Sequence, residues 1–276
     1  MRKVVDSNQL QSPAFRAWLS KSTMNFAVLT DYASMEAYKG DTLKSIFRSM
    51  EIVSDFPDQI LVLKSTNVVC GLTGRSAGLQ KRLIDENQSR EFGIYARRLA
   101  AAKNGNLNFQ QQLLERGQAA KNHLDRMLED AKTITSDIKD VAKLYTKDER
   151  HIIRLHEPYP SALMDKMGRD VLELAGILFS NHPSVRTLPK FDELLNTYIF
   201  RISLCMYLLA LDWAALGGVD DVSPARLRND MVDMSFAAYG TFFDGVLSAD
   251  AKVLRIHKEA RIILDEQIMG SHLIDI

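Results

Sequence analysis

The sequence predicts an α/β fold, a parallel sheet flanked by helices and interrupted by a helical insertion. Three observations carry this expectation. Short apolar runs bounded by turn residues recur early, at Lys3–Asp6, Phe26–Leu29 and Ile60–Leu63, as buried parallel strands require. From about residue 72 to residue 216 strand signals vanish and long amphipathic segments replace them. After Gly217-Gly218 and Pro224 the alternation of helix and strand returns. The predicted organisation is a discontinuous α/β domain, 1–71 with 217–276, split by a helical insertion over 72–216.

The elements follow in order. Lys3–Asp6 is a strand ending in the polar turn Asp6-Ser7-Asn8. Pro13 suits the first turn of a helix through Phe15, Trp18 and Leu19. Phe26–Leu29 is the second strand. Thr30-Asp31 caps a helix carrying Tyr32, Met35, Glu36 and Ala37 that stops at Gly40. Ile60–Leu63 is the third strand. Gly71–Gly78 is glycine-rich but lacks the Gly-Lys-Ser/Thr of a phosphate-binding loop, so it reads as a flexible lead into the insertion. Ala120, Leu124, Met127, Ala131, Ile134, Ile138, Val141 and Tyr145 recur at spacings of four and three, a heptad-like seam. It fits one arm of a helical hairpin, with Arg75–Ala102 as the adjacent helix, better than a coiled-coil homodimer contact. Pro158, Pro160, Pro183 and Pro189 break the later helices. Tyr198–Leu216 is apolar enough to cross a membrane, but Arg201 and Asp212 lie inside it. Each would cost roughly 2.5–3.5 kcal/mol near a bilayer centre, so a buried core helix is expected and no membrane association. A helix over Ala225–Tyr239 ending at Gly240, a strand over Phe242–Leu247, a helix over Asp250–Glu259 and a last strand over Ala260–Leu264 complete the chain.

Composition narrows the function classes. Hydrophobic residues at 46% support a sizeable core and exclude a disordered chain. Lys plus Arg and Asp plus Glu total 35 each, so a whole-protein basic field is excluded and any grip on nucleic acid is local. The candidate stretch holds Arg75, Lys81, Arg82, Arg90, Arg97, Arg98 and Lys103 against Asp85, Glu86 and Glu91; its plainer reading is a solvated helix face. Cys70 and Cys205 lack zinc-type spacing, and the six histidines are dispersed, which argues against zinc chemistry and a thiol nucleophile. No apolar signal region follows Met1, so a cytoplasmic location is expected.

Four carboxylates fall where an α/β sheet puts chemistry, outside the carboxyl ends of its strands. Asp6 ends the first strand. Glu36 lies on the helix after the second. Asp233 sits on the helix before the Phe242–Leu247 run, with Asp230 one turn earlier, and Asp250 follows that run. Each has a plainer role: Asp6 and Asp250 as caps, Glu36 as a solvated helix acid, Asp230 and Asp233 as partners of Arg226 and Arg228. Together they form an all-oxygen set that suits magnesium or manganese.

The motifs resemble a known family. Val4-Val5-Asp6-Ser7-Asn8 resembles the strand-end Asp-Thr/Ser-Asn signature of PIN-like nucleases, and Leu29–Glu36 is similar to their second strand leading to a helical Glu. Asp233-Met234-Ser235-Phe236-Ala237-Ala238 resembles their Asp-x-x-x-Ala-Ala helix, and Ser248-Ala249-Asp250 their strand-end Thr/Ser-x-Asp. The likeness covers roughly 1–66 and 220–265. It implies a PIN-like parallel sheet and a magnesium- or manganese-dependent nuclease, with RNA a better substrate than DNA. It also implies Asp6, Glu36, Asp233 and Asp250 as metal ligands or activators of water, with Asp230 and Asp244 as further ligands. Ser7, Asn8 and Ser248 would orient them, and Arg97, Arg98, Lys81 and Arg82 would contact nucleic acid. A non-cutting regulatory protein and a metal-dependent phosphohydrolase are the alternatives, although no Asp-x-Asp motif supports the latter. A homodimer or an inhibitor protein as partner is left open. The nearly 200 residues between Glu36 and Asp233 depart from compact members of the family.

Overall fold

The computed structural model describes residues 1–39, 42–155, 159–216 and 223–271, without the side chains of 128–140, 142 and 267–271. Gly40, Pro158, Gly217, Gly218 and the side chains of Ala131, Ile134 and Ile138 therefore lie outside the described residues.

Four parallel strands form one sheet: β1 (Arg2–Val5), β2 (Phe26–Leu29), β3 (Ile60–Val62) and β4 (Val246–Leu247), in the order β3-β2-β1-β4. The chain steps outward from β1 to β3, then returns on the other side of β1. Between β1 and β2 lies α1 (Pro13–Lys21), with Pro13 in its first turn and Ser12 capping it through the Ala14 N–H. Between β2 and β3 lie α2 (Asp31–Tyr38), capped by Thr30, and α3 (Leu43–Asp55).

After β3 come α4 (Thr66–Cys70), α5 (Leu79–Leu83), α6 (Glu86–Arg90), α7 (Phe92–Lys103), α8 (Leu107–Leu144) and α9 (Lys147–Leu155). There follow α10 (Ser161–Asn181), α11 (Phe191–Leu194), α12 (Tyr198–Ala215) and α13 (Pro224–Gly240), then β4 and α14 (Ala251–Ser271).

Alternation along the strands divides the core between the two faces of the sheet. Val4 and Val28 face a cluster built with α12, α13 and α14, while Val5, Ala27 and Leu29 face one built with α1, α3 and α7. The long α8 serves both, placing Ala120 in the second cluster and Leu124 in the first, where Tyr145, just beyond its end, is buried too. Helices from 72–216 and from both flanking segments thus share a core: Phe200, Leu204 and Leu208 of α12 lie with Phe236, Tyr239, Val253 and Ile256.

The two charges inside α12 find partners within the fold. Arg201 donates to the Leu195 and Thr241 carbonyls (2.9 and 2.7 Å) and lies over the Phe242 ring, and Asp212 pairs with Arg255 of α14. The apolar segment is a core helix, mostly buried.

Several sequence expectations need correction. Only Val246–Leu247 of the Phe242–Leu247 run is a strand. Phe242 and Phe243 donate back to the Tyr239 and Gly240 carbonyls, extending the end of α13, and Gly245 at φ 128° turns the chain into β4. The expected last strand, Ala260–Leu264, is the middle of α14. Val253, Ile256, Ala260, Ile263 and Leu264 follow helical spacing and are all buried. Arg75–Ala102 forms three short helices, and of these α7 packs on α8. Nor is the glycine-rich segment a loose lead: a Cβ on Gly74 would sit 1.8 Å from the Glu193 carbonyl oxygen, and one on Gly71 2.7 Å from that of Ser184. Those glycines permit backbone to pack on backbone.

Candidate functional site

The strand order reverses direction between β1 and β4, and ligands of open α/β sheets bind in the crevice outside the carboxyl ends at such a point. Asp6 follows β1 there, and Ser248 follows β4. The parallel register, with Val5 opposite Leu247, brings them side by side although 242 residues separate them.

Asp6 is 1% exposed, and its carboxylate is held on both oxygens. Oδ2 accepts from Ser248 Oγ (2.5 Å) and Asn8 Nδ2 (2.7 Å), and Oδ1 makes longer contacts with the Asn8 N–H and Ser7 Oγ (3.4 Å each). Asn8 Oδ1 accepts the Ala249 N–H (3.0 Å), so the Asp6-Ser7-Asn8 turn is sewn to the segment after β4. Ser248 Oγ in turn accepts the Asp250 N–H (3.0 Å). Asp250 caps α14 by accepting the Lys252 N–H (2.7 Å), which fulfils its plainer role while leaving its charge close enough to act on Asp6 and Asp233.

Asp233 reaches this cluster from α13. Burial pushes its carboxyl up to about 8, and the charges of Asp6, Asp250 and Asp230 add to that against the opposing Lys252. Burial likewise raises Asp6 above the usual carboxylate range, against the lowering hydrogen bonds from Ser248, Asn8 and Ser7. Asp230 pairs through Oδ1 with Lys252, and its buried Oδ2 has no hydrogen-bond partner. Glu36 comes from α2 and touches the cluster at its margin: one oxygen lies 3.5 Å from Ser7 Oγ and also pairs with Lys39.

Asp244 does not belong to this site. Its carboxylate accepts the Arg2 N–H (2.7 Å) and its own N–H bonds the Arg2 carbonyl, which places it at the amino ends of β1 and β4. The expectation failed because β4 begins after Asp244 and the site lies beyond the other end of the strand.

The expected nucleic-acid contacts also divide. Arg82 spends its guanidinium on the Thr73, Arg75 and Ala77 carbonyls, stapling the glycine-rich loop, and Lys81 pairs with Glu86 at 3.4 Å. Arg97 and Arg98 are exposed on α7, and Arg98 borders a cavity of about 760 Å³.

Sequence reasoning missed the two ammonium groups. Lys39 lies three residues from Glu36, a spacing at which helical side chains meet, so that pair was within reach. Nothing in the sequence signals the Asp230–Lys252 pair.

The donor set is all carboxylate oxygen, as a hard divalent cation requires, and the orphaned Asp230 oxygen is an acceptor in want of a partner. Among the described residues, however, no three metal-ligating side chains close on a common point. Lys39 and Lys252 bring positive charge to the cluster by pairing with Glu36 and Asp230.

No family model, curated protein or solved structure matches the chain. The fold and the position of the acids define an α/β protein with a four-stranded parallel sheet and a carboxylate cluster at its switch point.

Proposed function

We propose that the chain is a PIN-like, metal-dependent nuclease that hydrolyses phosphodiester bonds, RNA in preference to DNA. The observation that carries this reading is the link from Asp6 through Ser248 Oγ to the Asp250 N–H, with Asp233 close enough that both charges raise its carboxyl. Three segments remote in sequence deliver acids to one crevice.

Asp6, Asp233 and Asp250 would hold magnesium or manganese, with Asp230 and Glu36 at the margin. A bound divalent ion supplies an activated water at neutral pH and stabilisation of the leaving oxygen. The chain's own part is positional. Asn8 and Ser248 fix the Asp6 carboxylate, and the capping bond from the Lys252 N–H fixes that of Asp250. Ser7 lies between Asp6 and Glu36, where its hydroxyl touches both.

A second reading, a PIN-like binding protein that does not cut, is favoured by one observation: Lys39 and Lys252 already neutralise Glu36 and Asp230. Incubation with single-stranded RNA, single-stranded DNA and a simple phosphomonoester, each with manganese or chelator, separates the readings. Chelator-sensitive RNA cleavage, lost in Asp6→Asn while the melting temperature holds or rises, is the expected result. Binding without cleavage in wild type selects the second reading. Turnover of the phosphomonoester alone selects a phosphohydrolase.

A further inference from the structure

The cavity of about 760 Å³ lies between α2, α7 and α8, against Leu29 and Val62, the last residues of β2 and β3. It is therefore on the same edge of the sheet as the acids but beside the other strands. Helix α2 separates the two places. Glu36 points toward Ser7, whereas Ser34, Met35 and Tyr38 line the cavity.

The cavity has two chemistries. Its wall is apolar and aromatic, with Met35, Met50 and Phe92, and the Tyr38 and Tyr95 hydroxyls meet there at 2.5 Å. Among the described residues its lining carries Arg98, Arg116 and Arg126 against one carboxylate, Glu91. All three arginines are exposed, and none forms an ion pair among the described residues. Arg116 lies close enough to Tyr38 for its charge to act on that hydroxyl, which places it at the aromatic end of the cavity.

Surface arginines that form no ion pair among the described residues are ready to take an anion, and guanidinium groups match phosphate oxygens in a bidentate geometry. An apolar wall below a cationic rim suits a ligand with a flat weakly polar body and a phosphate at one end. The volume lies in the range of small-molecule sites.

From this geometry we infer that the cavity is a nucleotide site, taking a base against the Met35–Phe92 wall and its phosphate on Arg98, Arg116 and Arg126. The nucleotide comes either as one unit of a single strand or as a free mononucleotide. The inference concerns binding alone, so it stands or falls separately from cleavage at the acidic crevice.

The test is equilibrium binding to the intact chain in chelator, where cleavage is silent. Fluorescently labelled AMP, a labelled ten-nucleotide single-stranded RNA and inorganic phosphate are the probes. The proposal expects the RNA or the AMP to bind and inorganic phosphate to compete poorly. Replacing Arg98, Arg116 and Arg126 with Gln should weaken binding by about tenfold for each charge-assisted hydrogen bond lost, up to about 1000-fold for all three. Arg48→Gln, exposed on α3 and outside the cavity, should leave affinity unchanged.

Binding of RNA but not AMP assigns the site to a strand, and binding of AMP assigns it to free nucleotide; either supports the inference. It is overturned if neither probe binds, if the triple variant, checked by its melting temperature, binds as wild type does, or if Arg48→Gln loses as much as the triple variant. It is likewise overturned if phosphate competes as well as AMP, because the apolar wall would then contribute nothing.

Discussion

Asp233 offers a quantitative test of the acidic crevice. Its carboxyl rises from the ordinary 3.8 to about 8 on folding, burial being the largest cause and the charges of Asp6 and Asp250 the next. A raised acid favours the folded state only while it keeps its proton. The stability linked to Asp233 is therefore fully present below about pH 4 and is lost as pH climbs toward 8, at about 1.4 kcal/mol per pH unit. Between pH 5 and pH 8.5 the loss amounts to about 4 kcal/mol. Asp233→Asn removes the titrating group at nearly constant volume. Urea denaturation of both proteins in chelator should show the variant gaining about 4 kcal/mol on wild type across that interval. In thermal melts the same gain is about 8 °C or more. A gap between the two proteins that stays constant with pH would refute the placement of Asp233 among the acids. Manganese added at pH 8.5 should then restore wild type and leave the variant behind, because an ion that binds only the native state stabilises it. Equal stabilisation of both would put the ion elsewhere.

Other substitutions probe the framework. Gly74→Ala drives a Cβ into the Glu193 carbonyl and should cost roughly 1–3 kcal/mol, read as a lowered urea midpoint. Gly176→Ala, exposed in the middle of α10 with open space around it, should instead stabilise by about 0.5–1 kcal/mol in the same assay. Arg255→Ala strands the buried Asp212 carboxylate and should cost about 3–5 kcal/mol. Adding Asp212→Asn to that variant should recover part of the loss, and a double variant no better than the single would remove the ion pair from the account.

The legible parts of the fold were those where local pattern and burial agree. Phe26–Leu29 and Ile60–Leu63 are short apolar runs between turn residues, and they became an inner and an edge strand with only a residue's shift at the end. Phe242–Leu247 misled because an apolar run has no periodicity of its own. The aromatic pair is buried by a turn that extends a helix, a use of Phe that hydrophobicity alone does not distinguish from a strand. Ala260–Leu264 misled because a five-residue window hides the three- and four-residue spacing that begins at Val253. Among the site residues, Asp6, Ser248 and Asp250 were readable from their positions after strands. Asp244 was misplaced because the start of β4 was set too early. Arg82 was misread because its task, satisfying three carbonyls of a loop, leaves no trace in charge counts. The cavity wall of Met35, Met50 and Phe92 was invisible, since it joins helices from both sides of β3 whose packing no single segment encodes.

The pairing of β1 with β4 also bears on the order in which the molecule is made. Sheet contacts among β1, β2 and β3 close loops of a few dozen residues, whereas the Val5–Leu247 contact closes one of 242. Loop closure grows costlier with length, and contacts between distant residues form late. A chain emerging from the ribosome can thus complete most of its sheet and both arginine-bearing helices of the cavity before residue 248 exists. Until then Asp6 has no Ser248 to hold it and no Asp250 beside it. The crevice is finished last, so synthesis itself withholds whatever chemistry it performs until the rest of the fold is in place.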